Sequence, residues 1–289
     1  MFEEALVTNT IGRQFWIYKN DSFYQQRIAG AGPYQKQNLL QLRRLVPNPR
    51  TILDVGMNIA MNTIEYATWA NTVHGFEPTK QTYDMALKNI ALAQAQTEAD
   101  MTKGWHANAS RATGWSSCVV TGEINTHNCA LSTEEGTTDI IIKKDNAGHN
   151  HIDNSTIPLP SGKERKHTVE PHKETITLKT LDSFAFEDVD IIKVDTEGHE
   201  FPVVLGAENT IETHKPVVQL EMVDGQPERF GYSCQEIYDW FLERDFTILL
   251  SDGADAGTKW QHFPKKMERF FVHKSKYQGS TFSDLFELA

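Results

Sequence analysis

Thr51-Ile52-Leu53-Asp54-Val55-Gly56-Met57-Asn58-Ile59-Ala60, followed by Gly75-Phe76-Glu77-Pro78, carries the strongest structural signal in this 289-residue chain. An apolar run ends beside an acid, a turn holds one glycine, a helix-length stretch follows, and a second strand closes on Glu77. A strand, turn, helix and strand in this order build a pocket at the carboxyl ends of parallel strands, where open α/β sheets hold their ligands. Glu77 follows Gly56 by 21 residues. That is close to the roughly 20 that separate a nucleotide-binding turn from the carboxylate that holds ribose hydroxyls. Glu77 is therefore the candidate ribose clamp of an adenosine-bearing cofactor.

The turn argues about which cofactor. A dinucleotide site needs G-x-G-x-x-G, so that backbone amides can approach a pyrophosphate. Here Gly56 stands alone, with Asn58 and Ala60 at the next alternate positions. Asp54 repels an anionic pyrophosphate but attracts a cationic amino acid or sulfonium. Asp54, Gly56, Met57 and Asn58 thus suit S-adenosylmethionine better than a nicotinamide dinucleotide, although Met57 could equally pack against the following helix.

Three ordered segments, Asp54 to Ala60, Phe76-Glu77-Pro78 and Ile192-Lys193-Val194-Asp195-Thr196-Glu197-Gly198-His199-Glu200, resemble the signatures of the FkbM-type S-adenosylmethionine-dependent methyltransferases. The resemblance covers roughly residues 51 to 225. It implies a class I methyltransferase (Rossmann-like) fold: a mostly parallel seven-stranded sheet with an antiparallel last strand and helices on both faces. It also implies methylation of a hydroxyl on a sugar, glycan or natural product, with Ala130 beside the adenine ring. Ala60 stands where the family usually has Gly, and Met57 where a smaller residue is usual.

Lys and Arg total 28 against 39 Asp and Glu, a net charge of −11, which disfavours binding nucleic acid by general phosphate attraction. Lys163-Glu164-Arg165-Lys166-His167 reads as a solvated charge run. Cys118, Cys129 and Cys234 are too few and too scattered for a disulfide framework or a metal knuckle. With an acidic start, no basic-then-apolar leader and no run of about 18 apolar residues, the expectation is a cytoplasmic protein without a membrane span.

The order of elements supports the same fold. Leu39, Leu42 and Val46 recur at helical spacing before Pro47-Asn48-Pro49, predicting a helix over 34–46. Strands are expected at 51–56 and 72–76, with helices at 61–70 and 79–95. Further strands are expected at 124–131, 137–144, 189–194, 216–222, 246–250 and 269–273, and helices from about 200 and over 234–244. The last two strands lack a crossover between them and should pair antiparallel. The domain reading is an N-terminal helical cap over 1–50, a cofactor-binding domain over 51–275 with a surface insertion at about 145–175, and a tail over 276–289. The insertion is open between acceptor contact and a silent excursion. Trp105 and Trp115 could stack on a sugar or serve as ordinary packing.

Asp195-Thr196-Glu197-Gly198-His199-Glu200 follows a strand and forms the second constellation. On an extended backbone Asp195 and Glu197 point the same way, toward the sulfonium or the acceptor. His199 is the natural general base, since imidazole titrates near neutrality, and Asp195 is its rival as an orienting acceptor. Methyl transfer from a sulfonium demands chiefly alignment, so no strong base is required. Glu200 could simply favour the following helix start. No metal site is assigned, but Asp195, Glu221 and Asp224 leave Mg²⁺ open, unless Glu221 pairs with Lys193 inside the sheet. His149 and His151 read as solvated loop residues.

These residues point to an S-adenosylmethionine-dependent O-methyltransferase acting on a small-molecule or glycan acceptor. A nicotinamide-dependent oxidoreductase and a non-catalytic scaffold that kept the cofactor fold are the alternatives.

Overall fold

The computed structural model describes residues 3–19, 28–29, 32–102, 119–142, 150–153, 172–263 and 267–277. Its centre is strand β3 (Thr51–Val55), flanked by β4 (Thr72–Phe76) and β10 (Ile191–Val194), both parallel to it. Outward lie β5 (Glu123–His127), parallel to β4, and β11 (Val217–Glu221), parallel to β10. Then β13 (Glu268–His273) runs antiparallel to both β11 and β12 (Phe246–Leu250). The order β12-β13-β11-β10-β3-β4-β5 is the expected class I methyltransferase arrangement, with the expected antiparallel last strand.

The central strands read as apolar runs because both faces are covered. Ile52 and Ile191 pack with Leu39 and Leu42 of helix α1 (Lys36–Leu45) on one face. On the other, Leu53, Val55, Ile192 and Val194 meet Val203, Val204 and Ile211. Those three come from helices α4 (Glu200–Leu205) and α5 (Glu208–His214). Helix α6 (Cys234–Leu242) adds Ile237 and Phe241 to that face. Each such aliphatic side chain contributes about 1.5–3 kcal/mol when fully buried, so the strand ends are held rigidly. The crossovers α2 (Met61–Tyr66) and α3 (Lys80–Thr102) link β3 to β4 and β4 to β5.

Three expectations need correction. The region before residue 50 is not helical throughout: β1 (Glu4–Thr8) and β2 (Gln14–Tyr18) form an antiparallel hairpin, and Phe15 and Ile17 of β2 are buried. The strand expected at 124–131 is two strands, β5 and β6 (Ala130–Leu131), which belong to different sheets. The second of these sheets has the order β6-β9-β7-β8, with β7 (Gly136–Ile142), β8 (His151–Ile152) and β9 (His172–Lys179). Part of the stretch taken as a surface insertion is therefore paired strand. The rest of it, with Trp105, Trp115, Cys118, His149 and the 163–167 charge run, lies outside the described residues, as does the tail beyond 277. Cys129 and Cys234 are buried free thiols. No helix among the described residues is long and apolar enough to cross a membrane.

Candidate active site

One cavity opens at the carboxyl ends of β3, β4, β10 and β11, and its lining includes Gly56, Met57, Asn58, Glu77, Ala130, Asp195, Glu197 and His199. Eight of the nine sequence-predicted site residues thus converge. The ninth, Asp54, does not line it.

Backbone geometry explains the turn. Gly56 and Met57 both donate their amides to the Phe76 carbonyl, at 3.0 and 2.9 Å, tying the turn to the end of β4. Gly56 has φ +78, and a Cβ there would stand 2.0 Å from the Asp195 carbonyl oxygen. The glycine is required because β3 and β10 converge at their ends, a stronger constraint than cofactor approach. Asn58 and Ala60 also adopt the left-handed conformation, at φ 51 and 68. Met57 packs over Gly75 of β4 and shares a buried cluster with Met61 and Ile64 of α2, the helix-packing reading, while it also lines the cavity.

Asp54 requires a correction. Its side chain is 0% exposed and lies 3.2 Å from Lys193 Nζ, while Thr63 donates its hydroxyl to Asp54 at 2.6 Å. It is not placed to meet a cofactor. Lys193, equally buried, also donates to the Gly56 carbonyl at 3.1 Å and lies 3.5 Å from Asp195 Oδ2. Burial works to lower the Lys193 pKa, but the Asp54 and Asp195 carboxylates outweigh it and hold the ammonium above its ordinary value. The expected alternative pairing of Lys193 with Glu221 is thereby replaced. No sequence signal beyond an acid two residues away on the same strand face marked Lys193 for this role.

Glu77 sits in the cavity wall with Oε1 accepting from the Thr79 amide at 3.0 Å and the Thr79 hydroxyl at 2.6 Å. Burial pushes its carboxyl up to about 7 against these hydrogen bonds and one from the Asn58 amide. Ala130 joins Ile140 and Ile176 in an apolar cluster, and Ile140 and Ile152 continue it into the cavity.

Asp195 and Glu197 share the cavity for a reason other than strand alternation. Strand β10 ends at Val194, and Glu197 takes a left-handed φ of 56. Glu200 closes that turn, accepting from the Thr196 amide (3.0 Å), the Thr196 hydroxyl (3.1 Å) and the Gly198 amide (3.1 Å). This local role exceeds simple support of a helix start. Glu197 accepts from Gln226 at 3.0 Å, and burial followed by the charge of Asp195 pushes its carboxyl up to about 8. Glu221 is pushed up to about 10, first by Asp195 and then by burial.

One oxygen each of Asp195, Glu197 and Glu221 lie within 4.8 Å of one another, so Glu197 takes the place expected for Asp224. Asp224 instead accepts from the Trp260 indole at 2.8 Å. His199 Nε2 lies 3.1 Å from the Ser132 hydroxyl, and its Nδ1 has no hydrogen-bond partner among the described residues. Burial lowers the imidazole to about 4, so it is neutral at pH 7 and a weaker base than expected. His151, expected to be a solvated loop residue, instead lies half-buried in β8 and lines the cavity, and sequence reading missed Tyr34, Gln35, Asn62 and Glu268, which line it too.

The raised carboxyls set the pH dependence of stability. A carboxyl whose folded pKa exceeds its unfolded value stabilises fully below about 4.5, and that contribution is lost as pH climbs through the folded value. The melting temperature without cofactor should therefore fall between pH 6 and 10 as Glu77, Glu197 and Glu221 ionise. The lowered imidazoles of His199 and His127 (also about 4) act oppositely, costing stability as pH falls from 6.5 toward 4. A melting series in Glu221→Gln should show a flatter alkaline slope than the parent; an identical slope would contradict this assignment.

The Methyltransferase FkbM domain matches residues 54–248, more than half of the sequence. The chain belongs to the FkbM methyltransferase family. Among solved structures it is similar to an FkbM methyltransferase from Methylobacillus flagellatus KT, at 15% identity and a TM-score of 0.43, covering 78% of this chain and 44% of that one. It thus spans less than half of that relative's length. It is also similar to an O-methyltransferase from Bacillus cereus in complex with S-adenosylhomocysteine, at 13% identity and a TM-score of 0.42, covering 84% of this chain and 82% of that one. A third is M. capricolum TrmK with S-adenosylhomocysteine, at 11% identity and a TM-score of 0.37, covering 86% and 72%. A comparison with curated proteins finds no match. Tyr34, Gln35, Met267 and Glu268 line the cavity from outside the matched residues.

Proposed function

We propose that this family member transfers the methyl group to a hydroxyl of a sugar, glycan or related small acceptor. In this reading Glu77 clamps the ribose, the Gly56-Met57-Asn58 turn carries the body of the cofactor, and Ala130 lies against adenine. Asp195 then stands beyond the sulfonium, half-open at 24% side-chain exposure, where an acceptor hydroxyl in line with the methyl group would meet it. That convergence of Glu77 and Asp195 on one cavity is the observation that carries the reading. Asp195 orients the hydroxyl by accepting its hydrogen, and alignment supplies most of the rate. His199, buried and neutral, accepts the proton late or only shapes the wall. Glu197, which holds its proton near neutrality, donates to an acceptor oxygen.

Labelled S-adenosylmethionine offered with a panel of saccharides, lipids and natural-product acceptors tests the proposal. Label on a hydroxyl supports it, and label on nitrogen or carbon overturns it. With the acceptor so found, Asp195→Asn should lower turnover roughly tenfold to a hundredfold, at the low end of acid–base contributions, with cofactor affinity nearly unchanged. Unaltered turnover would leave Asp195 as a partner of Lys193 only.

The clustered oxygens of Asp195, Glu197 and Glu221 favour a second reading, in which a hard cation such as Mg²⁺ held there orients vicinal hydroxyls of the acceptor. Loss of activity with a chelator and recovery with Mg²⁺ would select it.

A further inference from the structure

Gln35 and Asn62 meet in the wall of the cavity, where Asn62 Nδ2 donates to Gln35 Oε1 at 2.9 Å. Two features set this pair apart from ordinary packing. Asn62 is only 6% exposed, and its Oδ1 is buried with no hydrogen-bond partner among the described residues. Gln35 precedes α1 at the N-cap position in the left-handed conformation (φ 51, ψ 39), yet its side chain makes no capping bond to that helix. A buried amide group without a partner and a non-glycine residue in this backbone region each cost free energy. Both are accounted for if a ligand completes the pair.

The chemistry of the cavity identifies that ligand. Asp195, Glu197, Glu221 and Glu268 line it, and Lys193 is already shared between Asp54 and Asp195. A carboxylate has no favourable place among them. Ala130, Ile140 and Ile152 give it an apolar stretch of wall. The side chains of Gln35 and Asn62 themselves are polar and uncharged. An amide pair can be turned over as a unit, so its free position offers either an oxygen or an N–H. Asn62 also lies just beyond the turn that follows β3. A cofactor held by its ribose at Glu77 would extend its amino-acid tail over that turn.

Resting on the proposed reading of the cavity, we infer that Gln35 and Asn62 form the subsite for the charged amino-acid end of S-adenosylmethionine. The segment before the matched domain would then complete the cofactor site. The test is calorimetric titration of the full chain with two probes: S-adenosylhomocysteine, and 5′-methylthioadenosine, which keeps the adenosine and the thioether but lacks the amino acid. Asn62→Ala should weaken S-adenosylhomocysteine at least tenfold and leave 5′-methylthioadenosine within about twofold. Gln35→Glu, at a half-buried position less demanding of the fold, should give the same split by placing a carboxylate against the ligand's own. Equal weakening of both probes, or no weakening of either, overturns the inference. If the unmodified protein binds neither probe, the cofactor reading of the cavity fails and the subsite falls with it.

Discussion

Lys193→Met is expected to destabilise the protein by about 3 kcal/mol or more, the range seen when one partner of a buried ion pair is removed. The ammonium is buried between Asp54 at 3.2 Å and Asp195 at 3.5 Å, and it donates to the Gly56 carbonyl. Without it Asp54, which has no exposure to water, keeps Thr63 as a hydrogen-bond donor but loses its countercharge. Asp54 must then take up a proton, or the ends of β3 and β10 must part. A loss of this size corresponds to roughly 6 °C or more in melting temperature for a domain of this class. The double variant Lys193→Met, Asp54→Asn should recover a large part of it, because no uncompensated charge then remains inside the sheet. A single variant that melts within about 2 °C of the parent would show that the pair does not hold the strand ends. Asp54 then belongs to the architecture beneath the turn, and Asp54→Asn should act first on stability and only through it on the cofactor.

The central βαβ unit and the terminal antiparallel pair were legible because their physics is local in sequence. Strands β3 and β10 are buried on both faces and so appear as short apolar runs, and Glu77 is placed by its distance from Gly56. The absence of a crossover between β12 and β13 was itself a topological signal. Strands β6 and β8 span two residues each, too few to show any period. Strand β9 buries only Ile176 completely, so its polar residues outweighed its alternation.

The N-terminal hairpin was readable, since Ala5-Leu6-Val7 and Phe15-Trp16-Ile17 flank a turn at Gly12. At the site, motif spacing located Asp195, Glu197 and His199 but gave no access to their surroundings. The burial that weakens His199 as a base and the charge of Asp195 that keeps a proton on Glu221 depend on residues distant in sequence. The same holds for Gln35 and Glu268, which reach the cavity from opposite ends of the chain.

Glu77→Ala is expected to weaken S-adenosylhomocysteine by about 2 to 4 kcal/mol, roughly 30- to 1000-fold, if the carboxylate accepts both ribose hydroxyls in charge-assisted bonds. Thr79 holds Oε1 through its amide and hydroxyl, which fixes the carboxyl plane before any ligand arrives. Burial has already raised its pKa to about 7, so near neutrality a substantial fraction carries a proton. Ribose hydroxyls donate best to the ionised form, so binding should release a proton, and affinity should rise as pH climbs from 6 to 8 before levelling. Glu77→Gln keeps the shape, loses the charge and should remove that pH dependence while retaining part of the affinity. Calorimetry in buffers of different ionisation enthalpy reads the released proton directly. Undiminished affinity in a folded Glu77→Ala variant would remove Glu77 from the ribose site. A pH-independent parent would show that its carboxylate is ionised before the ligand binds.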